Sequence, residues 1–192
     1  MKPRTEAPFL KGVRLSRGAW VIGIGNPCRS DDAAGLEVAA HLKAAYPDCV
    51  SCLENAADPE TLISSWVGRP EVVVIDATWS DAPPGTIHFF DAARRPLPAE
   101  HFPCTSTHAL GLRQCVELAR ALYRLPRHLW VYGIEGRNFA LGIRCSAPVR
   151  RAIDIVAAEI GARWFADREA VPASPPPAPL GRHSAERGAD PI

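Results

Sequence analysis

No stretch of this 192-residue chain approaches the roughly 18 charge-free apolar residues that a membrane-spanning helix needs. Residues 1–17 lack the apolar centre of a secretory signal, and Pro3, Glu6 and Pro8 would interrupt an amphipathic presequence helix. A cytoplasmic protein is therefore expected. An excess of one charge is missing too. With 22 Lys+Arg against 21 Asp+Glu the net charge is +1, so no general field draws nucleic acid or an anionic membrane. Lysine is scarce: Lys2, Lys11 and Lys43 are the only ones, and no basic stripe is interleaved with aromatics. The expectation is no nucleic-acid partner and no membrane partner. Six cysteines (28, 49, 52, 104, 115 and 145) are present, but a chain this long buries a core without staples, so no disulfide framework is required. Large apolar residues are nearly absent from the Pro/Ala-rich stretch 169–192, which is expected to be disordered because it cannot offset its ordering entropy.

What is present is an ordinary globular middle. Hydrophobic residues make up 47% of the chain, which excludes wholesale disorder. Residues 1–17 carry Lys2, Arg4, Lys11, Arg14 and Arg17 against Glu6 alone and read as a basic extension. One domain is expected over 18–168. No internal repeat occurs, and nothing demands an oligomer, so a monomer is expected.

Within that domain strand-like and helix-like segments alternate. Short apolar runs at 20–24, 50–53, 72–75, 86–90 and 129–133 read as strands, the VVVI at 72–75 most clearly, with a stop expected at Asp76-Ala77. Helical patterns cover 31–45, with an apolar stripe of Leu36, Ala39, Ala40, Leu42 and Ala44, and 59–66. A third covers 107–125, with Leu112, Val116, Ala119, Leu122 and Tyr123 on one face and Pro126 as its stop. A closing helix, with Pro148 in its first turn, buries Val149, Ile153, Val156, Ala157 and Ile160. Continuous apolar strands between amphipathic helices predict an α/β class, three-layer sandwich around a mostly parallel sheet.

In such sheets the working residues lie beyond the carboxyl ends of the strands. The first strand exits into Gly25-Asn26-Pro27 and then Asp31-Asp32 at a helix start; the VVVI strand exits into Asp76; His108 opens a later helix; the last strand exits into Gly133-Ile134-Glu135. Gly23-x-Gly25 is half of a dinucleotide fingerprint, but Cys28 stands at the third glycine and two carboxylates occupy the place of a pyrophosphate, so no nucleotide is expected. Asp32, Asp76 and His108 together offer two oxygens and one nitrogen, an open site for a borderline divalent cation. A helix start favours the carboxylate at Asp32 and the neutral imidazole at His108, the forms a metal takes. Each residue also has a plain structural role open to it, and capping is assigned to Asp31. The Cys49-Val50-Ser51-Cys52 pair has no second pair and reads as incidental. Cys28 is read as a loop residue, with a thiol nucleophile assisted by His108 as the alternative. Glu135 either orients a substrate or ties down a loop.

These segments, in order, form a pattern. GIGNPCRSDDAAG (23–35), VVVIDAT (72–78), PGTIHFF (84–90), STHALGL (106–112), GIEG (133–136) and GIRCSAPV (142–149) make the chain resemble the hydrogenase maturation protease family across about residues 20–160. Ser30 departs from it, standing where glycine is common, and so does 54–58 (Glu-Asn-Ala-Ala-Asp), where many members carry a glycine-containing stretch.

The resemblance implies a doubly wound five-stranded α/β/α sandwich. It implies an endopeptidase that trims the C-terminus of a [NiFe]-hydrogenase large-subunit precursor. Asp32, Asp76 and His108 would be its catalytic and metal-binding residues. They would meet nickel already carried by the substrate and so recognise a loaded precursor. No nucleotide or organic cofactor is implied. Whether a metal or a carboxylate activates water stays open. Two other readings compete: a non-cleaving nickel-dependent assembly or checkpoint factor, and a small-molecule hydrolase built on Cys28 and His108.

Overall fold

A computed structural model of the chain describes residues 20–46, 48, 50–54, 59–102 and 111–164. The basic extension 1–17, the tail 169–192 and His108 lie outside the described residues. The elements in chain order are β1 (Trp20–Gly25), a 3-10 turn (Ser30–Ala33), α1 (Ala34–Ala45), β2 (Val50–Glu54), α2 (Pro59–Trp66), β3 (Glu71–Thr78), β4 (Ile87–Asp91), α3 (Leu112–Ala121), β5 (His128–Glu135) and α4 (Ala147–Trp164).

The strands form one five-stranded sheet in the order β2-β1-β3-β5-β4. β1 runs parallel to β2 and β3, and β3 runs parallel to β5. β4 closes the edge antiparallel to β5. Its direction follows from its connection: residues 79–86 hold no helix, and a chain without a crossover returns antiparallel.

Alternating residues of the central strands feed two cores, as the period of two requires. Val73 and Ile75 of β3 pack with Val38, Ala39 and Leu42 of α1 and with Val149, Ile153, Val156 and Ile160 of α4. Val72 and Val74 pack on the opposite face with Leu62, Ile63 and Trp66 of α2 and with Leu112, Val116 and Ala119 of α3. This is the three-layer α/β/α architecture.

Four local expectations are corrected. β3 does not stop at Asp76: Asp76, Ala77 and Thr78 go on pairing with Gly133, Ile134 and Glu135, which also lengthens β5 beyond Gly133. The 31–45 helix begins as a 3-10 turn, and its Ala40 and Ala44 face solvent while Val38 is buried. α3 ends at Ala121; Tyr123 has φ +55, which breaks the helix before Pro126, and Leu122 and Tyr123 are 51% and 98% exposed instead of joining the core. In α4, Ala157 is only half-buried.

Candidate active site

Strand order reverses at β1, whose neighbours β2 and β3 lie on its two sides. Open α/β sheets hold their ligands beyond such a point. Glycines let the chain turn tightly there. Gly25 has φ +152, and a Cβ on it would collide with the carbonyl of Asp32; a Cβ on Gly35 would collide with the carbonyls of Ile24 and Ile75. The 3-10 turn therefore lies directly over the strand end, with α1 pressed on β1 and β3. The Gly-x-Gly of the sequence serves this contact. Ser30 has φ +48, a left-handed conformation that glycine adopts more readily.

Asp31 and Asp32 leave this turn in different roles. Asp31 is fully buried and is not the helix cap it was expected to be. Its Oδ2 accepts the backbone N–H groups of Arg137 (3.0 Å) and Asn138 (2.9 Å), and its Oδ1 that of Ser146 (2.6 Å). Burial pushes its carboxyl upward, but these N–H donors together hold it below the usual carboxylate range. Asp31 is thus an anchor for the loop between β5 and α4. Asp32 is half-buried. Burial raises its carboxyl, opposed by the nearby Arg29 guanidinium.

Asp76 sits in β3 two residues before its end, and its Oδ1 accepts the Ala77 N–H at 2.9 Å. Burial, with the Asp32 carboxylate adding to it, pushes the Asp76 carboxyl up to about 7, against the pull of that N–H. The structure thus brings Asp32 and Asp76 close enough to couple. Two interacting carboxyls lose their protons in separate steps, so near neutral pH this pair offers one acid and one base. His108, the third expected member, is outside the described residues.

The remaining candidates fall elsewhere. Cys28 is an exposed free thiol, and its proposed partner His108 is not described. Cys49 and residues 55–58 also lie outside the described residues. Glu135 ties down a loop: it accepts hydrogen bonds from Thr78 Oγ1 (2.9 Å), the Ser80 N–H and Ser80 Oγ (3.1 Å). Two residues passed over in the sequence, His88 and His101, gather beside Glu135. Neither has a local signal: one is a polar position on an edge strand, the other lies in a loop.

Residues 36–163 match the family model described as HycI, hydrogenase maturation protease; the span includes Asp76 and His108 and begins after Asp32. The hydrogenase 2 maturation protease of Escherichia coli strain K12 is 27% identical over 137 residues, covering 70% of this chain and 82% of that relative. Among solved structures, the [NiFe] hydrogenase maturation protease HybD from Thermococcus kodakarensis has a TM-score of 0.52 at 25% identity, covering 74% of this chain and 95% of its own. The hydrogenase maturating endopeptidase HybD from E. coli has a TM-score of 0.62 at 23% identity, covering 75% and 90%, a likeness of fold. The family match covers well over half of the sequence, and the chain belongs to the hydrogenase maturation protease family.

Proposed function

We propose that this protein removes the C-terminal extension of a [NiFe]-hydrogenase large-subunit precursor that already carries nickel. Asp32, Asp76 and His108 are the residues assigned to it. The nickel belongs to the substrate; two carboxylate oxygens and an imidazole nitrogen are donors suited to a borderline cation, so they can test whether it is in place. The observation that carries the reading is the coupled Asp32–Asp76 pair, whose second proton is held to about 7.

In the proposed reaction the ionised carboxylate, Asp32, takes a proton from water as the water oxygen adds to the scissile carbonyl carbon. The protonated carboxyl, Asp76, donates to the carbonyl oxygen. As the C–N bond breaks, the proton on Asp32 passes to the leaving amine, and Asp76 takes back its proton from the hydroxyl that becomes the new carbonyl. The reaction is placed in the cytoplasm, which suits the free thiols of Cys28 and Cys145. Among the described residues no helix is long and apolar enough to cross a membrane.

The test is intact-mass spectrometry of a precursor from the same source, with and without nickel, before and after incubation with this protein. Loss of a C-terminal peptide from the loaded form alone is expected. Asp76→Asn is expected to slow cleavage by about 10²–10⁴-fold, the usual worth of a positioned proton donor, and cleavage is expected to decline as pH rises through 7. Undiminished cleavage by Asp76→Asn and by His108→Ala would overturn the site. A stable complex with uncut loaded precursor would instead mark a non-cleaving checkpoint factor.

A further inference from the structure

We propose that His88, His101 and Glu135 form a binding site for a first-row divalent cation of the zinc class, separate from the aspartate pair. Each offers one ligand atom, and these atoms lie within 4.8 Å of one another. The separation is set by the sheet. Asp76, Gly133 and His88 share one register row across β3, β5 and β4, so His88 stands two strands from Asp76, about 10 Å away. Gly133 leaves the floor between them without a side chain.

Three observations point to a cation. First, among the described residues no hydrogen-bond partner reaches the buried His101 Nδ1, and the buried His88 Nε2 has only the Glu135 carboxylate at 3.4 Å. Buried polar atoms ordinarily find one, because leaving them bare costs free energy. Second, the His88 side chain is 16% exposed and its Nε2 lies 3.4 Å from Oε2 of the fully buried Glu135, within ion-pair distance. The His88 and His101 rings are stacked obliquely with centroids 4.2 Å apart, so two imidazolium charges there would repel. Third, the carboxylate is already oriented by Thr78 and Ser80, the hydrogen-bonded support that metal-bound carboxylates have.

The donor set fits. Two imidazoles and one carboxylate are zinc ligands at about 2.0–2.2 Å, with a fourth position left for water. Reaching those distances needs a contraction of roughly an ångström, available to His101 because it lies beyond β4 rather than on a strand. Such an ion would tie the segment after β4 to the end of β5, seven residues ahead of His108 in the chain.

The experiment uses the full, tag-free chain carrying Asp32→Asn, Asp76→Asn and His108→Ala, so that the aspartate site contributes nothing. Zn²⁺ is titrated and counted after dialysis by elemental mass spectrometry, and Co²⁺ is followed by its visible d–d bands. One tightly held equivalent, with the intense bands of four-coordinate cobalt, is expected. Adding His88→Gln or His101→Gln should weaken binding at least about 100-fold, and Thr78→Val, which removes one support of the carboxylate, about 10-fold. Far-UV circular dichroism confirms that each variant folds. Absence of a stoichiometric ion, or binding unchanged in both histidine variants, would overturn the site.

Discussion

Asp76 lies directly after a valine and isoleucine run buried on both faces, and its carboxyl holds a proton up to about 7 against an ordinary value of 3.8. Between those two values the folded chain keeps a proton that the unfolded chain has released. The stabilising contribution of protonated Asp76 is therefore fully present below about 3.8 and is lost as pH rises through 7. Above that the fold carries a buried carboxylate beside Asp32, at a cost on the order of 2–4 kcal/mol. Asn at this position keeps an oxygen for the Ala77 N–H and carries no charge. Asp76→Asn is expected to raise the urea midpoint at pH 8 and to leave it unchanged at pH 4, while slowing cleavage by about 10²–10⁴-fold. Equal midpoints for the two proteins at pH 8 would contradict this. A variant that is more stable and slower also separates chemistry from folding. Asp32 stands out in the sequence because it follows a strand exit, and Asp76 because an apolar run ends before it, although the strand itself goes on to Thr78. The raised proton affinity was not legible there, because it depends on β3 continuing past Asp76 and on Asp32 arriving from another strand. His88 and His101 were invisible for the same reason: β4, β5 and a loop supply the cluster, and no spacing along the chain connects them.

Among the elements, the 3-10 turn and the loop between β5 and α4 are fastened chiefly through one side chain. Asp31 accepts three backbone N–H groups from that loop. The Ser30 and Asp31 N–H groups donate back to Gly142 and Asn138, both at 2.9 Å. In the sequence Asp31 reads as a cap, because its partners stand more than a hundred residues away, beyond any local pattern. Asp31→Asn tests the difference. An amide has one acceptor oxygen, so whichever way it is turned its NH₂ faces at least one partly buried N–H donor. The expected loss is about 1–3 kcal/mol, from the unmade charge-assisted bonds and the donor left facing the NH₂. Urea unfolding at pH 7 measures it. A helix cap replaced by Asn would cost almost nothing, since Asn caps as well as Asp does. An unchanged midpoint would therefore restore the capping role. Helix ends were read less well than helix faces: Leu122 and Tyr123 continue the apolar pattern of α3, but the backbone has already left the helix at Tyr123.

The whole molecule is one sheet shared by two cores. The class was readable, since apolar strands alternating with amphipathic helices admit few other layer arrangements. Strand order was not in the pattern itself, and neither was the reversed edge strand β4, which depends on a connection too short for a crossover helix. Sharing has a consequence for unfolding. Val72 and Val74 face α2 and α3 while Val73 and Ile75, their neighbours in the same strand, face α1 and α4; Leu129 and Val131 alternate with Trp130 and Tyr132 in the same way. Stripping either helical layer exposes valines whose backbone also holds the other core, so neither core has an independent scaffold. The two cores are expected to unfold together. Two of the five tryptophans report on them separately: Trp66, 1% exposed, in the α2/α3 core, and Trp130, 5% exposed, in the α1/α4 core. With 5-fluorotryptophan incorporated and each resonance assigned by a Trp→Phe variant, ¹⁹F NMR through a urea series should give coincident midpoints for the two residues. Coincidence of independent probes is what an all-or-none transition requires. Loss of the Trp130 signal at lower urea than the Trp66 signal would show that the α1/α4 layer detaches first, and the sheet would then be a scaffold for one core only.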